Sequence, residues 1–335
     1  MRVLTYGFLA KTSLLRGRNL GLLLTLGISL LLISLFSHRY LSVDNLLVVA
    51  LQVSFIGIAS LGTALLIISG NVDLSIGSQY ALCAVTAAML ARAIPVPLAW
   101  IAGIVLGALL GFVDALMVLR INISPIIITL GTLTIFRGVA LRITNGFGVR
   151  DVPKSFSLLG QAQVLGIPAP VCMLVGLGAV AHLLLHKTTQ GRHLFALGGN
   201  KQAAEAAGIN SKGLVLTTFA INGALVGVSA VLAASRFGTA APTFGVGFEL
   251  DVIAAVILGG VAFTGGEGSI TGVLLAVVLL GVINSGMISI GIDPHYAQVV
   301  KGVALVAAVS LDQLTQERQE RHRKRLAVQE RSDSA

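Results

Sequence analysis

The feature that most constrains this chain is the length and continuity of its apolar runs. About 20 consecutive apolar residues are enough to cross the hydrocarbon core of a bilayer as a helix. Ten apolar segments follow one another along the 335 residues, and several of them are short or interrupted. They lack the alternation of apolar and polar residues that is typical of barrel strands. The sequence therefore predicts an all-α polytopic membrane protein with about ten transmembrane helices.

The ten predicted spans are numbered here in chain order. They are Leu20–Phe36, Asn45–Ile68, Ile76–Ala93, Leu98–Leu119, Ile126–Ile143, Ala169–His186, Leu214–Ser235, Leu250–Phe263, Ile270–Ile290 and Ala297–Leu311. Spans three, five and eight are short or broken. The first span is interpreted as an uncleaved anchor, because HRYLSVDN follows it in place of a small-residue cleavage site.

The charged residues indicate which side of the membrane the loops occupy. Only 11% of the residues are charged, and the 23 Lys and Arg outnumber the 14 Asp and Glu. The basic residues concentrate at the N-terminus, in a central loop at 187–213 and in a tail at 312–335. An even number of spans puts all three regions on one side, which the positive-inside rule makes the cytoplasm. Both termini are therefore predicted to be cytoplasmic, and the charge indicates no nucleic-acid partner.

The central loop carries its own helix signal. Asn200 directly precedes KQAAEAA, and Gly208 directly follows it. Asn is a favoured N-cap, the Ala, Gln, Glu and Lys run is helix-forming, and Gly is the usual residue just past a helix end. We predict a short capped helix at the membrane surface. Such a helix is either a connector or a contact for another protein.

Polar groups inside the apolar runs are informative because a charge in the bilayer core is costly unless it is shielded. Asp73 lies in the interruption SGNVDLSIGS, where it is expected to cap the following helix and to stand beside a pathway. Glu267 lies in a similar interruption, TGGEGS, and both interruptions lead into a helix through Ser-Ile, a hint of internal repetition. Asp114, within span four, is expected to face other helices or a cavity.

Five polar residues are assigned to a substrate pathway. They are Asn71, Asp73, Ser75, Asp114 and Asn284. Asn284 and Asn222 are also candidates for hydrogen bonds between helices. Arg137 and Lys301, which fall within predicted spans, are expected to pair with the acids or to reach a membrane interface.

The sequence contains none of the common catalytic motifs. It has no G-x-S-x-G, H-E-x-x-H or paired-Cys motif and no Walker A sequence. Cys83 and Cys172 lie in apolar runs and are interpreted as small buried hydrophobic residues. His182 and His186 are interpreted as interfacial histidines. We therefore expect no catalytic residue, no metal and no cofactor bound by this chain.

Four segments, in a fixed order, resemble a known family. They are GNVDLSIGS, SPIIITLGTLTIFRG, GRHLFALGGNKQAAEAAGI and FELDVIAAVILGGVAFTGGEGS. They are similar to signature stretches of the permease subunits of ribose-type monosaccharide ABC importers, a family that includes the autoinducer-2 importer permeases. The resemblance covers about Tyr40 to Leu311. The chain departs from it at Asp114-Ala115, where members of the family often carry Asn-Gly, and this weakens any inference about the substrate.

The resemblance implies a permease domain at 1–311 in the bacterial plasma (inner) membrane. It implies a second permease copy, identical or paralogous, a cytoplasmic ABC ATPase subunit that holds ATP-Mg, and an extracytoplasmic sugar-binding protein. The 187–213 loop would be the coupling loop. The residues that would contact the ATPase are Asn200, Lys201, Ala204, Glu205 and Gly208, and those that would dock the binding protein are Arg150, Asp151, Lys154 and Arg236.

Two other functions stay open on the sequence alone. One is autoinducer-2 import by a permease of the same family. The other is an ion-coupled secondary transporter with Asp73, Asp114 or Glu267 as its ion site. A membrane-embedded enzyme lacks a nucleophile or a metal set. The sequence does not decide among a pentose, a hexose, a sugar alcohol and an autoinducer as substrate.

Overall fold

The computed structural model describes residues 17–37, 39–121 and 123–292, together with residues 296, 299, 302 and 303. Apart from loops and turns, the described part is helical, with one two-stranded antiparallel hairpin and one isolated β-bridge. The predicted all-α class is therefore confirmed. Most of the predicted tenth span and the whole tail at 312–335 lie outside the described residues.

The elements are given in chain order. The helices are α1 Gly17–Phe36, α2 Val43–Ile68, α3 Ile76–Leu90, α4 Val96–Ile121, α5 Pro125–Thr144, α6 Leu158–Gln161, α7 Ala169–Lys187, α8 Thr189–Gly199, α9 Lys201–Ala206, α10 Ser211–Phe237, α11 Phe248–Leu258 and α12 Ile270–Ser289. A 3₁₀ turn at Lys154–Ser157 precedes α6, and the strands β1 Gln163–Val164 and β2 Ile167–Pro168 form the hairpin.

Seven of the described helices are long and apolar enough to cross a bilayer. They are α1, α2, α4, α5, α7, α10 and α12, and they correspond to predicted spans one, two, four, five, six, seven and nine. Predicted spans three and eight are the shorter helices α3, with 15 residues, and α11, with 11 residues. At 1.5 Å per residue neither helix crosses a bilayer alone.

The predicted end of span eight at Phe263 is wrong. Helix α11 ends at Leu258 because Gly259 and Gly260 follow it, and Gly260 has a φ of +98° that only glycine adopts easily. The non-helical residues directly before α3, at 71–75, and directly after α11, at 259–262, are buried or half-buried, as is required of irregular backbone at membrane depth.

Helices α2 and α10 form the centre of the bundle. Helix α2 is almost entirely buried over most of its length, and α10 packs against α2, α3 and α4. Helix α1 lies at the periphery and packs on α12.

Glycines bring α4 and α10 into backbone contact. Gly103, Gly107 and Gly111 recur every four residues on the face of α4 that meets α10. A Cβ on Gly107 would overlap the carbonyl oxygen of Gly223 in α10, and a Cβ on Gly223 would overlap the carbonyl oxygen of Gly107. Small residues at this spacing allow the close helix packing that is common within membranes.

A second close contact joins the first turn of α3 to the loop between α10 and α11. Arg137 of α5 donates hydrogen bonds to the carbonyls of Pro242 (2.5 Å), Phe244 (2.7 Å) and Gly77 (3.1 Å). Arg137 was expected to pair with one of the acids singled out in the sequence or to reach an interface. It instead uses its fork of donors to hold three backbone carbonyls.

Candidate functional site

A buried polar cluster lies where the interruption before α3 meets α4 and α10. Asp73 Oδ1 accepts a hydrogen bond from the backbone N–H of Ser75 (2.8 Å), and Asp73 Oδ2 accepts from Gln79 Nε2 (3.1 Å) and Asn222 Nδ2 (3.1 Å). The predicted cap is wrong in detail. The N-cap of α3 is Ser75, and Asp73 orders the backbone just before it. Asn222 forms the predicted hydrogen bond between helices.

Asp114 joins the same cluster from α4. Ser75 Oγ lies 2.7 Å from Asp73 Oδ1 and 2.9 Å from Asp114 Oδ2, so its single proton is shared between two carboxylates. Gln79 Nε2 lies 3.0 Å from Asp114 Oδ2. Both carboxylates are fully buried. The expectation that Asp114 faces other helices is confirmed.

Sequence reasoning missed two members of this cluster. Gln79 lies one helical turn after Ser75, and that four-residue polar spacing in an apolar helix could have revealed it. Thr63 of α2 donates to Asn222 Oδ1 (3.0 Å) and extends the cluster to a further helix. Nothing in the local sequence distinguishes Thr63 from the other hydroxyl residues of α2.

The structure separates the five predicted pathway residues. Asn71 lies next to the cluster and donates to Ser69 Oγ (3.2 Å), while Asp73, Ser75 and Asp114 are within the cluster and fully buried. Asn284 lies apart from them, in a cavity between α2, α11 and α12. Their assignment to a pathway stays a prediction.

We expect Asp73→Ala to destabilise the protein strongly. Its removal leaves the buried N–H of Ser75 and the side-chain amide of Asn222 without their carboxylate acceptor, and each such group costs about 1–3 kcal/mol. Thermal unfolding of the purified protein in detergent measures the effect. The matched control is Asp114→Asn, which keeps a carboxamide oxygen toward the same donors and is expected to change the free energy of unfolding by only about 1 kcal/mol. Equal losses of unfolding free energy in the two variants would contradict the role of Asp73 as the main hydrogen-bond acceptor of the cluster.

The predicted capped helix is confirmed as α9. Asn200 Oδ1 accepts from the backbone N–H of Ala203 (2.9 Å), and Gly208 follows with a φ of +81°. Ala204 is buried, whereas Lys201 and Glu205 are exposed at the helix surface. Glu205 Oε1 also accepts a hydrogen bond from Ser211 Oγ (2.6 Å) at the start of α10.

A helix before α9 was not predicted. Helix α8 begins after Thr188, whose hydroxyl accepts from the backbone N–H of Gly191 (3.2 Å). A Thr just before a helix is a recognised N-cap signal, so the sequence did carry this information. The 187–213 loop is therefore a pair of capped helices between α7 and α10.

Four glycines connect this helix pair to both interruptions. We call Gly70, Gly198, Gly265 and Gly266 the glycine junction. A Cβ on Gly198, in α8, would overlap the carbonyl oxygen of Ile68 at the end of α2. The backbone N–H of Gly266 donates to that same carbonyl (2.9 Å), and a Cβ on Gly265 would come within 2.9 Å of Gly70 Cα. The base of the α8–α9 pair thus packs directly on the two interruptions.

The four residues predicted to dock a binding protein are exposed and lie in or directly beside two loops that are hydrogen-bonded to each other, with Arg236 in the last turn of α10. They are Arg150, Asp151, Lys154 and Arg236. Val149 and Ala240 form an antiparallel bridge between the loops, with N···O distances of 2.6 and 3.1 Å. The side chain of Gln161 donates to the carbonyl of Arg236 (3.1 Å). Their role in docking stays a prediction.

These features together define a polytopic helical membrane protein with two helix interruptions in its core. The α8–α9 pair packs on those interruptions, and two other loops are joined by the bridge between Val149 and Ala240. Residues 45–309 match the family described as branched-chain amino acid transport system / permease component. The chain belongs to this family and is a membrane-embedded transport component.

Several relatives align over nearly the whole chain. The ribose import permease protein of Bacillus subtilis is 36% identical over 88% of this chain and 92% of its own length. The ribose import permease protein of Escherichia coli K12 is 33% identical over 91% and 96%. The D-allose transport system permease protein of Escherichia coli K12 is 35% identical over 84% and 87%. No solved structure matches this chain.

Proposed function

We propose that this chain forms the translocation pathway of an ATP-driven importer for a monosaccharide or a related small polyol. The observation that carries the proposal is the α8–α9 pair, whose capped surface helix is exposed while its base packs on both helix interruptions through the glycine junction. In a chain without a Walker A sequence, such a loop can pass the movement of a separate ATPase to the membrane core. The sugar class follows from the relatives named for ribose and D-allose import.

The proposed topology has ten spans with both termini in the cytoplasm. The bacterial plasma (inner) membrane is the location, and the concentration of Lys and Arg in the 187–213 loop supports its cytoplasmic side. Helix α10, which leaves this loop, has 27 residues. It is about 40 Å long at 1.5 Å per residue, enough to reach the opposite surface.

The proposed partners occupy the two ends of the molecule. An ABC ATPase subunit, which holds ATP-Mg, contacts the exposed surface of α9, with Lys201 and Glu205 as its charged groups. An extracytoplasmic sugar-binding protein docks on the two hydrogen-bonded loops, beside Arg150 and the Arg236 side chain at the end of α10. Charged rims of this kind set orientation and association rate more than affinity. A second permease copy, identical or paralogous, completes the pathway.

Two alternatives have specific support. One relative is named for autoinducer 2 import and is 31% identical over 88% of this chain, so that ligand belongs among the test substrates. The buried carboxylates Asp73 and Asp114 would be the site of an ion-coupled carrier. Autoinducer 2 import differs from sugar import in its substrate, and an ion-coupled carrier differs from it in its energy source.

The test reconstitutes the permease with its ATPase and binding protein in proteoliposomes and measures uptake of radiolabelled D-ribose, D-allose and autoinducer 2. Uptake is expected to need ATP and to be unaffected by an imposed ion gradient. Glu205→Pro is expected to abolish this uptake while ATP hydrolysis continues, because proline within α9 removes a helix hydrogen bond and clashes with the preceding turn.

The matched control is Thr189→Pro in the same loop. Thr189 is the first residue of α8, where proline is tolerated because its N–H has no partner within the helix. This variant is expected to transport normally. Normal uptake by Glu205→Pro would overturn the coupling role of α9, and uptake driven by an ion gradient without ATP would overturn the importer itself.

A further inference from the structure

The cavity that contains Asn284 is lined by both polar and apolar side chains. It has a volume of about 40 Å³, and its polar lining residues are Gln52, Asp251 and Asn284. Gln52 is exposed, and Asp251 and Asn284 are half-buried. One carboxyl and two carboxamide side chains therefore converge from three helices, α2, α11 and α12.

Facing lipid would be costly for these side chains. Gln52 lies nine residues after Val43, the first residue of α2, which is about 14 Å along a helix of 26 residues and well inside the membrane region. Polar and ionisable groups at such depth almost always face the bundle interior or a water-filled cavity. This part of the surface is therefore covered by water or by protein in the membrane.

We propose that Gln52, Asp251 and Asn284 form one wall of the aqueous passage and contact a neutral, polyhydroxylated solute as it crosses. A carboxylate accepts hydroxyl protons, while a carboxamide both donates and accepts, so this set matches the hydroxyl groups of a sugar-like solute. The inference rests on the proposed function and names the part of the surface that performs it.

The cavity by itself is too small to hold a sugar. A volume of about 40 Å³ holds only a few water molecules, since each needs roughly 10–15 Å³ on this measure. A sugar fits only in a wider space between this wall and a facing surface. A second permease copy supplies that surface in the proposed assembly.

The buried cluster around Asp73 and Asp114 is a poorer candidate for solute contact. Both carboxylates are fully buried, and Asp73 is surrounded by donors from within the protein. Of the predicted pathway residues, Asn284 therefore contacts the solute, while Asp73, Ser75 and Asp114 hold the helix interruption together.

Cysteine labelling in the complete reconstituted transporter tests the wall. The native Cys172 is replaced by Ala, and Cys83 is kept because it is fully buried. Asn284→Cys and Leu109→Cys are then compared for their rate of reaction with a charged, membrane-impermeant methanethiosulfonate. Leu109 is the control because it is an apolar residue of α4 with 54% of its surface exposed.

The Asn284→Cys thiol is expected to react at least about tenfold faster than the Leu109→Cys thiol. The nucleophile that attacks the reagent and displaces methanesulfinate is the thiolate, which forms in water and not in lipid. The Asn284→Cys protein is expected to take up radiolabelled D-ribose or D-allose more slowly than the Cys172→Ala parent, because a carboxamide that contacts the solute is removed. Equal reaction rates at the two positions, or undiminished uptake by Asn284→Cys, would overturn the proposal. Absence of ATP-driven uptake in the Cys172→Ala parent would instead refute the proposed function, while the labelling rates would still report whether the wall is in contact with water.

Discussion

Gly107→Leu is expected to prevent accumulation of folded protein. The Cβ of any larger residue at this position overlaps the carbonyl oxygen of Gly223, and α4 and α10 can relieve that overlap only by moving apart. Overpacking of a well-packed core costs about 1–3 kcal/mol for small insertions, and backbone atoms adapt less than side chains do. Because α10 also packs against α2 and α3, displacement of α4 disturbs the centre of the bundle. The yield of monodisperse protein in detergent and its thermal unfolding midpoint measure the effect.

The matched control is Gly176→Leu in α7. Gly176 is also a helical glycine, but no atom lies within 4 Å of a Cβ built on it. This variant is expected to keep its yield and its unfolding midpoint, because lost glycine flexibility slightly favours a helix. Reciprocal substitution at Gly223 is expected to match Gly107→Leu. An undiminished midpoint in either of the two contact variants would disprove the backbone packing of α4 on α10.

Gly198→Ala is expected to cause a large loss of transport without loss of insertion. The added methyl group overlaps the carbonyl oxygen of Ile68 and comes within 2.5 Å of the backbone nitrogen of Gly266, so the α8–α9 pair must shift away from both interruptions. A distortion that costs about 1–3 kcal/mol changes the population of the coupled state about 5- to 150-fold. ATP-driven uptake in proteoliposomes is expected to fall by a factor in this range, while ATP hydrolysis continues.

The neighbouring residue provides the control. Gly199 is next in the chain and in the same helix, but a Cβ built on it has no atom within 4 Å. Gly199→Ala is therefore expected to transport like the unmodified protein. Uptake that is equal to that of the unmodified protein in both alanine variants would show that the glycine junction does not transmit movement. An equal loss in both variants would show that the loss comes from replacing any glycine at the end of α8 and not from the contact of Gly198 with Ile68.

Local patterns determined much of this architecture in advance. The apolar runs predicted ten spans, and seven of these are described helices long enough to cross a membrane, because burying about 20 residues of backbone in lipid leaves few structures other than a helix. The α9 helix and its cap at Asn200 were also predictable, since capping depends on residues within one turn. The short elements were less predictable. Helix α11 ends five residues earlier than predicted because a glycine pair outweighed the apolar run that continues to Phe263.

The sequence by itself determined a polytopic helical membrane chain with a capped helix in its central loop, because hydropathy and capping are properties of neighbouring residues. Only the tertiary structure decided which polar residues meet. Asp73 and Asn222 are 149 positions apart yet hydrogen-bonded, and Asn284 lies in a cavity with Gln52 and Asp251 and not with Asp73. The glycine junction likewise depends on three distant segments approaching to backbone contact. Such contacts depend on how helices cross in space, and no pattern within a single segment records that crossing.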